Sequence, residues 1–310
     1  MPTSILIPID FSAYSQAALE YGQVLARQFG ARLYLFHAVC FPRNMIYGTA
    51  DTVRGSDQNR VLRRVREKME RLMEGRQVDW QPRVDFGHPV EAANRAADAL
   101  NADLIITASH GVGVLRRILS GTVVEQFART VHQPLLVIHP RKPLKTDVEP
   151  LSNKEASVEF TGFRRIIVGC DFQNGSAESV RFACRFARKS GAECHLVHFL
   201  ESPMDETLMN TTRGGYGEQQ EVLREDRRGR LKSLLPESDC KEIPVKTAVL
   251  PGVPWEGMVA YVRNSVSDLV VVGLRFHNPW EKLWMGSTTE SVLRHIACPV
   301  MVLPDEAGIR

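Results

Sequence analysis

The chain of 310 residues holds six cysteines, Cys40, Cys170, Cys184, Cys194, Cys240 and Cys298, and none forms a CxxC pair or joins histidines at zinc spacing. That excludes a zinc module and a CxxC redox centre, so buried, reduced thiols are expected. No apolar run approaches the ~18 residues that a membrane span needs, which argues against a membrane protein. Lysine and arginine number 39 against 36 acidic residues, a net charge of +3, and there is no concentrated basic stripe of the kind nucleic acid demands. The densest basic run, Arg63 to Lys68 (RRVREK), reads as a solvated helix face. The opening MPTSILIPID reads as a strand, without a basic region, long apolar stretch or cleavage site. A cytoplasmic location is the expectation. Also missing are paired carboxylates at a shared site, a metal-ligand cluster, and a nucleophile with a spaced base. The chain does not read as an evident enzyme.

What is present is a repeat. Gly87 and Gly252, Asp103 and Asp268, Gly121 and Gly286, and Pro134 and Pro299 are each 165 residues apart. One fold is therefore written twice. The expected division is a first domain over 1–140, a linker over 141–162, a second domain over 163–304 and a tail over 305–310. The linker is polar, carries prolines and lacks periodic apolar residues.

Each half alternates β-branched apolar runs with amphipathic segments, the pattern of parallel strands crossed over by helices. Strands are predicted at 4–9, 32–38, 81–86, 103–108 and 134–139, then at 165–169, 192–199, 245–250, 269–273 and 300–303. The first helix follows Ser12 as N-cap and stops at Gly30, with Tyr14, Ala17, Ala18, Tyr21, Val24 and Leu25 at helical spacing. A second helix over 58–74 carries Val61, Leu62, Val65, Met69, Leu72 and Met73 on one stripe, Pro89 opens a third, and 121–131 makes a fourth. In the second half, helices follow Ser176, Gly217, Pro254 and Gly286. The loops after each second strand, 41–56 and 201–216, are the longest, and long loops in compact domains are often functional.

In a doubly wound sheet, ligands bind beyond the carboxyl ends of the strands, where strand order reverses. Asp10, Ala38 and the loop from Ala108 to Gly111 stand at such ends. Gly121 and Thr122 open a helix, where unpaired amides and a positive dipole end receive phosphate. A carboxylate at Asp10 would repel phosphate, so a ribose hydroxyl or a base is its sensible partner. The alternative is that Asp10 and Asp171 cap the first helix of each domain. His37 and His198 read as structural hydrogen-bonding residues.

The spacing Ala108, Gly111, Gly121-Thr122, within DLIITASHG and ahead of PLLVI, closely resembles the G-x2-G-x9-G-[ST] signature of the universal stress protein family. The chain is identified as a tandem two-domain member. The resemblance implies two doubly wound α/β domains, each a five-stranded parallel sheet with helices on both faces, of the adenine nucleotide alpha hydrolase-like type. It implies ATP, with or without Mg2+, or AMP as ligand in some members and no nucleotide in others. Carried over, Asp10 would hold adenine or ribose and the backbone of Ala38 would touch the base. Ala108, Ser109, His110 and Gly111 would wrap ribose and phosphates, and Gly121, Thr122 and Val123 would complete the cradle. Ala108 replaces the first signature glycine, a change that is harmless if its φ is negative and costs roughly 1–2 kcal/mol if φ is positive.

The second half keeps Asp171, Gly273, Gly286 and Ser287, but Phe276 replaces the second signature glycine and Phe199 stands where Ala38 stands in the first half. A degenerate second site is expected, with Trp280 and Trp284 packing to close it. His110 reads as a loop element, and Arg116 and Arg117 as phosphate ligands or surface residues. The expected function is an adenine-nucleotide-binding stress protein that signals through nucleotide-dependent binding of a protein partner. The alternatives are a nucleotide-free interaction scaffold and a weak ATPase. From the resemblance, an intramolecular pseudo-dimer through the last strands is expected, with pairing to a second copy left open.

Overall fold

The computed structural model describes residues 1–40, 55–109, 123–139, 160–173, 175–201, 216–236, 242–274 and 286–304. The chain divides into two compact units between Gly162 and Phe163. The first contains β1 (Ser4–Pro8), α1 (Ala13–Phe29), β2 (Arg32–Val39), α2 (Gly55–Met73), β3 (Trp80–Phe86), α3 (Pro89–Ala99), β4 (Leu104–Ala108), α4 (Val123–Thr130) and β5 (Leu135–Ile138). The second contains β6 (Arg165–Gly169), α5 (Ser176–Ser190), β7 (Glu193–Leu200), α6 (Tyr216–Ser233), β8 (Val245–Pro251), α7 (Pro254–Ser265), β9 (Leu269–Gly273), α8 (Ser287–His295) and β10 (Val300–Leu303).

In the first unit the strand order is β3-β2-β1-β4-β5, all parallel, with Ser4 opposite Arg32, Ile5 opposite Leu104 and Ile105 opposite Leu135. The second unit repeats it as β8-β7-β6-β9-β10, with Arg165 opposite Glu193, Ile166 opposite Leu269 and Val300 opposite Val270. Strands covered by helices on both faces read as continuous apolar runs. Ile5, Leu6, Ile7, Leu104, Ile105, Ile106 and all of β5 are buried accordingly. Pro82 interrupts β3, which has no further strand beside it in its unit. A residue without an N–H is tolerated at such an edge.

Ser12 caps α1 as expected, accepting a hydrogen bond from the Ser15 N–H, and Gly30 ends the helix at φ 69°. The buried face differs from the expected stripe. Tyr14, Ala17, Tyr21 and Val24 are only half-buried, whereas Ser15, Ala18, Leu19, Gly22, Gln23, Leu25 and Ala26 face inward. Small residues decide this, because a Cβ on Gly22 would stand 2.2 Å from Ile7 Cδ1. The helix approaches β1 too closely for any larger side chain there. Displaced outward, Tyr21 stacks on Phe160 at 3.9 Å between ring centroids. Of the expected α2 stripe, Val65, Met69 and Met73 are buried, Leu62 and Leu72 are half-buried and Val61 is exposed. Cys170, Cys184, Cys194 and Cys298 are buried free thiols, but Cys40 is exposed because it follows β2 at the sheet rim, and Cys240 lies outside the described residues.

Candidate functional site

Strand order reverses between β1 and β4, so the chain leaves these neighbouring strands in opposite directions and opens a crevice at their carboxyl ends. Asp10 follows β1 at this point and is exposed. Its Oδ1 accepts hydrogen bonds from the Ser12 N–H at 2.9 Å and the Ser15 hydroxyl at 2.7 Å. Burial pushes its pKa upward, but the bonds from Ser12 and Ser15 outweigh burial and hold it below the usual carboxylate value. The carboxylate is therefore charged and oriented before any ligand arrives. Both readings of Asp10 meet here, since one oxygen organises the turn into α1 while the group stays open to solvent.

Phe11 takes φ 67° to make this turn, and its ring lies 5.1 Å from the His37 ring with Lys68 Nζ 5.3 Å from its centroid. The His37 Nδ1–H donates to the Ile9 carbonyl at 2.7 Å, which ties the end of β1 to β2. This arrangement recurs in the second unit. Asp171 Oδ1 accepts from the Gln173 N–H at 2.9 Å and the Ser176 hydroxyl at 2.7 Å, and His198 Nδ1–H donates to the Cys170 carbonyl at 2.8 Å. Phe172 has φ 62°, and its ring faces the Arg230 and Arg227 guanidinium groups at 4.3 and 5.8 Å. Burial and these two arginines hold His198 below the usual histidine pKa, against the opposing pull of the Cys170 carbonyl.

At the end of β4, Ala108 pairs with Ile138 and is not among the non-glycine residues with positive φ, which in the described residues are Phe11, Asn101, Phe172 and Val266. The missing signature glycine is thus harmless to the backbone. In the second unit, a Cβ on Gly273 would meet Ser179 Oγ at 3.4 Å, an ordinary contact. Ser109 is turned inward: its N–H donates to the Ile138 carbonyl at 2.9 Å, and its Oγ shares a 2.7 Å hydrogen bond with His139 Nδ1. That hydroxyl, expected beside ribose and phosphate, is committed to the protein. His139 went unnoticed in the sequence, where one histidine after an apolar strand carries no signal of its own.

Ala38 is half-buried near the end of β2, and Val123 opens α4 with an exposed side chain. Gly286 precedes α8 without a side-chain cap, Ser287 begins that helix, and the Thr289 hydroxyl donates to the Gly273 carbonyl at 3.1 Å. His110, Gly111, Arg116, Arg117, Gly121, Thr122, Phe276, Trp280 and Trp284 lie outside the described residues. Phe199, expected together with Phe276 to make the second site degenerate, has a buried ring against α7, with Cε1 2.2 Å from where a Cβ on Gly257 would stand. Its bulk is absorbed by packing, so the expectation of a blocked second site rests on Phe276. Among the described residues no group of three or more His, Cys, Asp or Glu side chains could hold a metal ion. No described helix is long and apolar enough to cross a membrane.

The sequence model of the universal stress protein family matches residues 1–139 and 162–304. The chain belongs to the universal stress protein family. Each of its two compact units holds one such domain. Universal stress protein MJ0531 of Methanocaldococcus jannaschii is 25% identical over 142 residues, 46% of this chain and 82% of that protein. The crystal structure of a universal stress protein from Archaeoglobus fulgidus shares the fold at a TM-score of 0.65 and 20% identity, covering 97% of this chain and 96% of that one. A protein of unknown function from Pseudomonas aeruginosa PAO1 superposes at a TM-score of 0.64 and 16% identity, over 99% of this chain and 94% of its own.

Proposed function

We propose that the first universal stress protein domain binds an adenine nucleotide, ATP or AMP, at the carboxyl ends of β1, β2 and β4, and that occupancy governs binding of a protein partner in a stress response. The observation that carries this reading is Asp10, a charged and exposed carboxylate held by Ser12 and Ser15 where the strand order reverses. Such a group suits ribose hydroxyls or the base, and it repels phosphate toward the far side of the crevice. In the sequence, β4 is followed by the glycine and threonine of the signature, the residues expected to receive phosphate. Ala38 lies one strand away, at the position expected to present its backbone to the base.

The test is calorimetric titration of ligand-stripped full-length protein with ATP and Mg2+, repeated with AMP. One site per chain is expected, and a micromolar constant, equivalent to about −8 kcal/mol, would be readily seen. Silence with both nucleotides in a folded chain would refute the reading and leave the nucleotide-free scaffold. Two sites of comparable affinity would refute the assignment to the first domain alone. Phosphate release that survives rigorous purification and vanishes in a Gly111→Leu chain would add weak ATPase activity.

A further inference from the structure

The buried pair Ser109 and His139 has no counterpart in the second domain. Ser109 is 1% exposed and His139 is 3% exposed, so water does not compete for their 2.7 Å hydrogen bond. The second imidazole nitrogen, Nε2, is buried without a hydrogen-bond partner among the described residues. Burying two polar side chains and an unsatisfied nitrogen is unfavourable. At the matching positions the second domain has Leu274 and Pro304, both buried, and it forms the equivalent backbone bond, Leu274 N–H to the Leu303 carbonyl, at 2.7 Å. The fold therefore does not require the polar pair. A cost carried in one domain and omitted in the other points to a task at the end of β4, beside the crevice that holds Asp10.

The bond can run either way: the His139 Nδ1–H donates to Ser109 Oγ, or the Ser109 hydroxyl donates to Nδ1. Ser109 is thereby held from two directions, through its backbone N–H by Ile138 and through its side chain by His139. We propose that His139 is a positioning residue: its hydrogen bond to Ser109 fixes the carboxyl end of β4 so that the first domain's crevice is preorganised for its ligand. The inference rests on the nucleotide reading for its purpose. The restraint on Ser109 can be tested without any ligand.

The experiment compares full-length wild type with the His139→Ala, Ser109→Ala and His139→Asn chains. An asparagine amide can stand close to Nδ1 and either donate or accept, so it restores the bond in both directions. Two quantities are read: amide hydrogen exchange at Ser109 in the ligand-free chain, and ATP affinity by calorimetry. His139→Ala and Ser109→Ala are each expected to speed exchange at Ser109 and to weaken ATP binding by about tenfold, the scale of one lost hydrogen bond. His139→Asn is expected to recover most of both. Exchange at wild-type rate in His139→Ala, or ATP affinity within about twofold of wild type, overturns the proposal, as does failure of His139→Asn to rescue. If His139→Ala does not fold, Ser109→Ala decides, because it removes one oxygen atom. If wild type binds neither ATP nor AMP, the nucleotide reading falls, and exchange at Ser109 alone decides whether His139 restrains the strand end.

Discussion

The two domains share a turn and differ in how they fill the space around it. Asp10 with Ser15 and His37 is reproduced by Asp171 with Ser176 and His198, at nearly the same distances. Around that constant core, the first domain buries Ser109 and His139, where the second buries Leu274 and Pro304. The second also packs Phe199 on Gly257, where the sequence of the first has Ala38 and Ala92. Divergence has thus spared the residues that shape the β1 and β6 turns and altered those that decide what surrounds the crevice. Both domains keep this turn, so it does not by itself tell them apart. The first domain is distinguished by the polar residues it keeps around that turn.

The largest expected difference appears in acid. Burial pushes the His139 pKa down to about 4 from 6.5, so the folded chain resists the proton that the unfolded chain accepts. Stability is fully present above pH 6.5 and is lost as pH falls from there toward about 4, by on the order of 3 kcal/mol. Urea unfolding of the full-length chain across that range should show the loss, and His139→Leu should flatten the profile. An unchanged slope in the variant would break the assignment.

The second domain meets acid lower down. Burial opposes ionisation of Glu193, but hydrogen bonds from Arg165 and Lys246, with the His195 imidazole nearby, outweigh it and hold the pKa at about 2, against 4.5. Its contribution is present above pH 4.5 and fades as pH falls toward about 2, so Glu193→Gln should remove only that part of the acid transition. The first domain has a looser counterpart, Arg32 with Asp79, both well exposed. Exposed pairs contribute little.

Packing supplies the next contrast. Gly257→Ala would press on the Phe199 ring and should destabilise the chain by about 1–3 kcal/mol, seen as a lower Tm. Adding Phe199→Ala recreates the Ala38 and Ala92 arrangement and should relieve the strain. A Gly257→Ala chain as stable as wild type would show that the ring moves freely, contrary to its close seat. At the crevice, Asp10→Ala should weaken ATP binding by about tenfold or more, while Asp171→Ala should leave it unchanged. Equal effects would erase the functional distinction between the domains. Each change should also cost about 1 kcal/mol of stability through the lost turn contacts.

The smallest expected effect lies far from either crevice. Val266 closes α7 at φ 50° with 81% of its surface exposed, and Asn101 holds the matching place in the first domain at φ 47°. A β-branched residue is strained there, whereas asparagine tolerates the conformation. Val266→Asn should raise stability by about 1 kcal/mol, measured as a higher Tm without change in nucleotide binding.

The repeat, the strand positions, the Ser12 cap, the Gly30 stop and the hydrogen-bonding role of His37 and His198 were all legible along the chain. Each depends on neighbours in sequence or on a pattern stated twice. The buried face of α1 was not legible, because Tyr14, Tyr21 and Val24 look more apolar than Ser15, Gly22 and Ala26. Close approach to Ile7 selected the smaller set. Ser109 was expected to wrap ribose and phosphates, and the bond of its hydroxyl to His139 could not be read because that partner lies thirty residues away, just after another strand.

The sequence by itself determined two parallel α/β domains and placed Asp10 at a strand end, since hydrophobic periodicity, capping and turn residues act over a few residues. Only the tertiary structure decided that Ser109 turns inward to His139, that Phe199 settles on Gly257, and that Ala108 needs no glycine. Those outcomes depend on which side chains meet across strands and helices, and burial and steric fit set their energies only once the chain has folded.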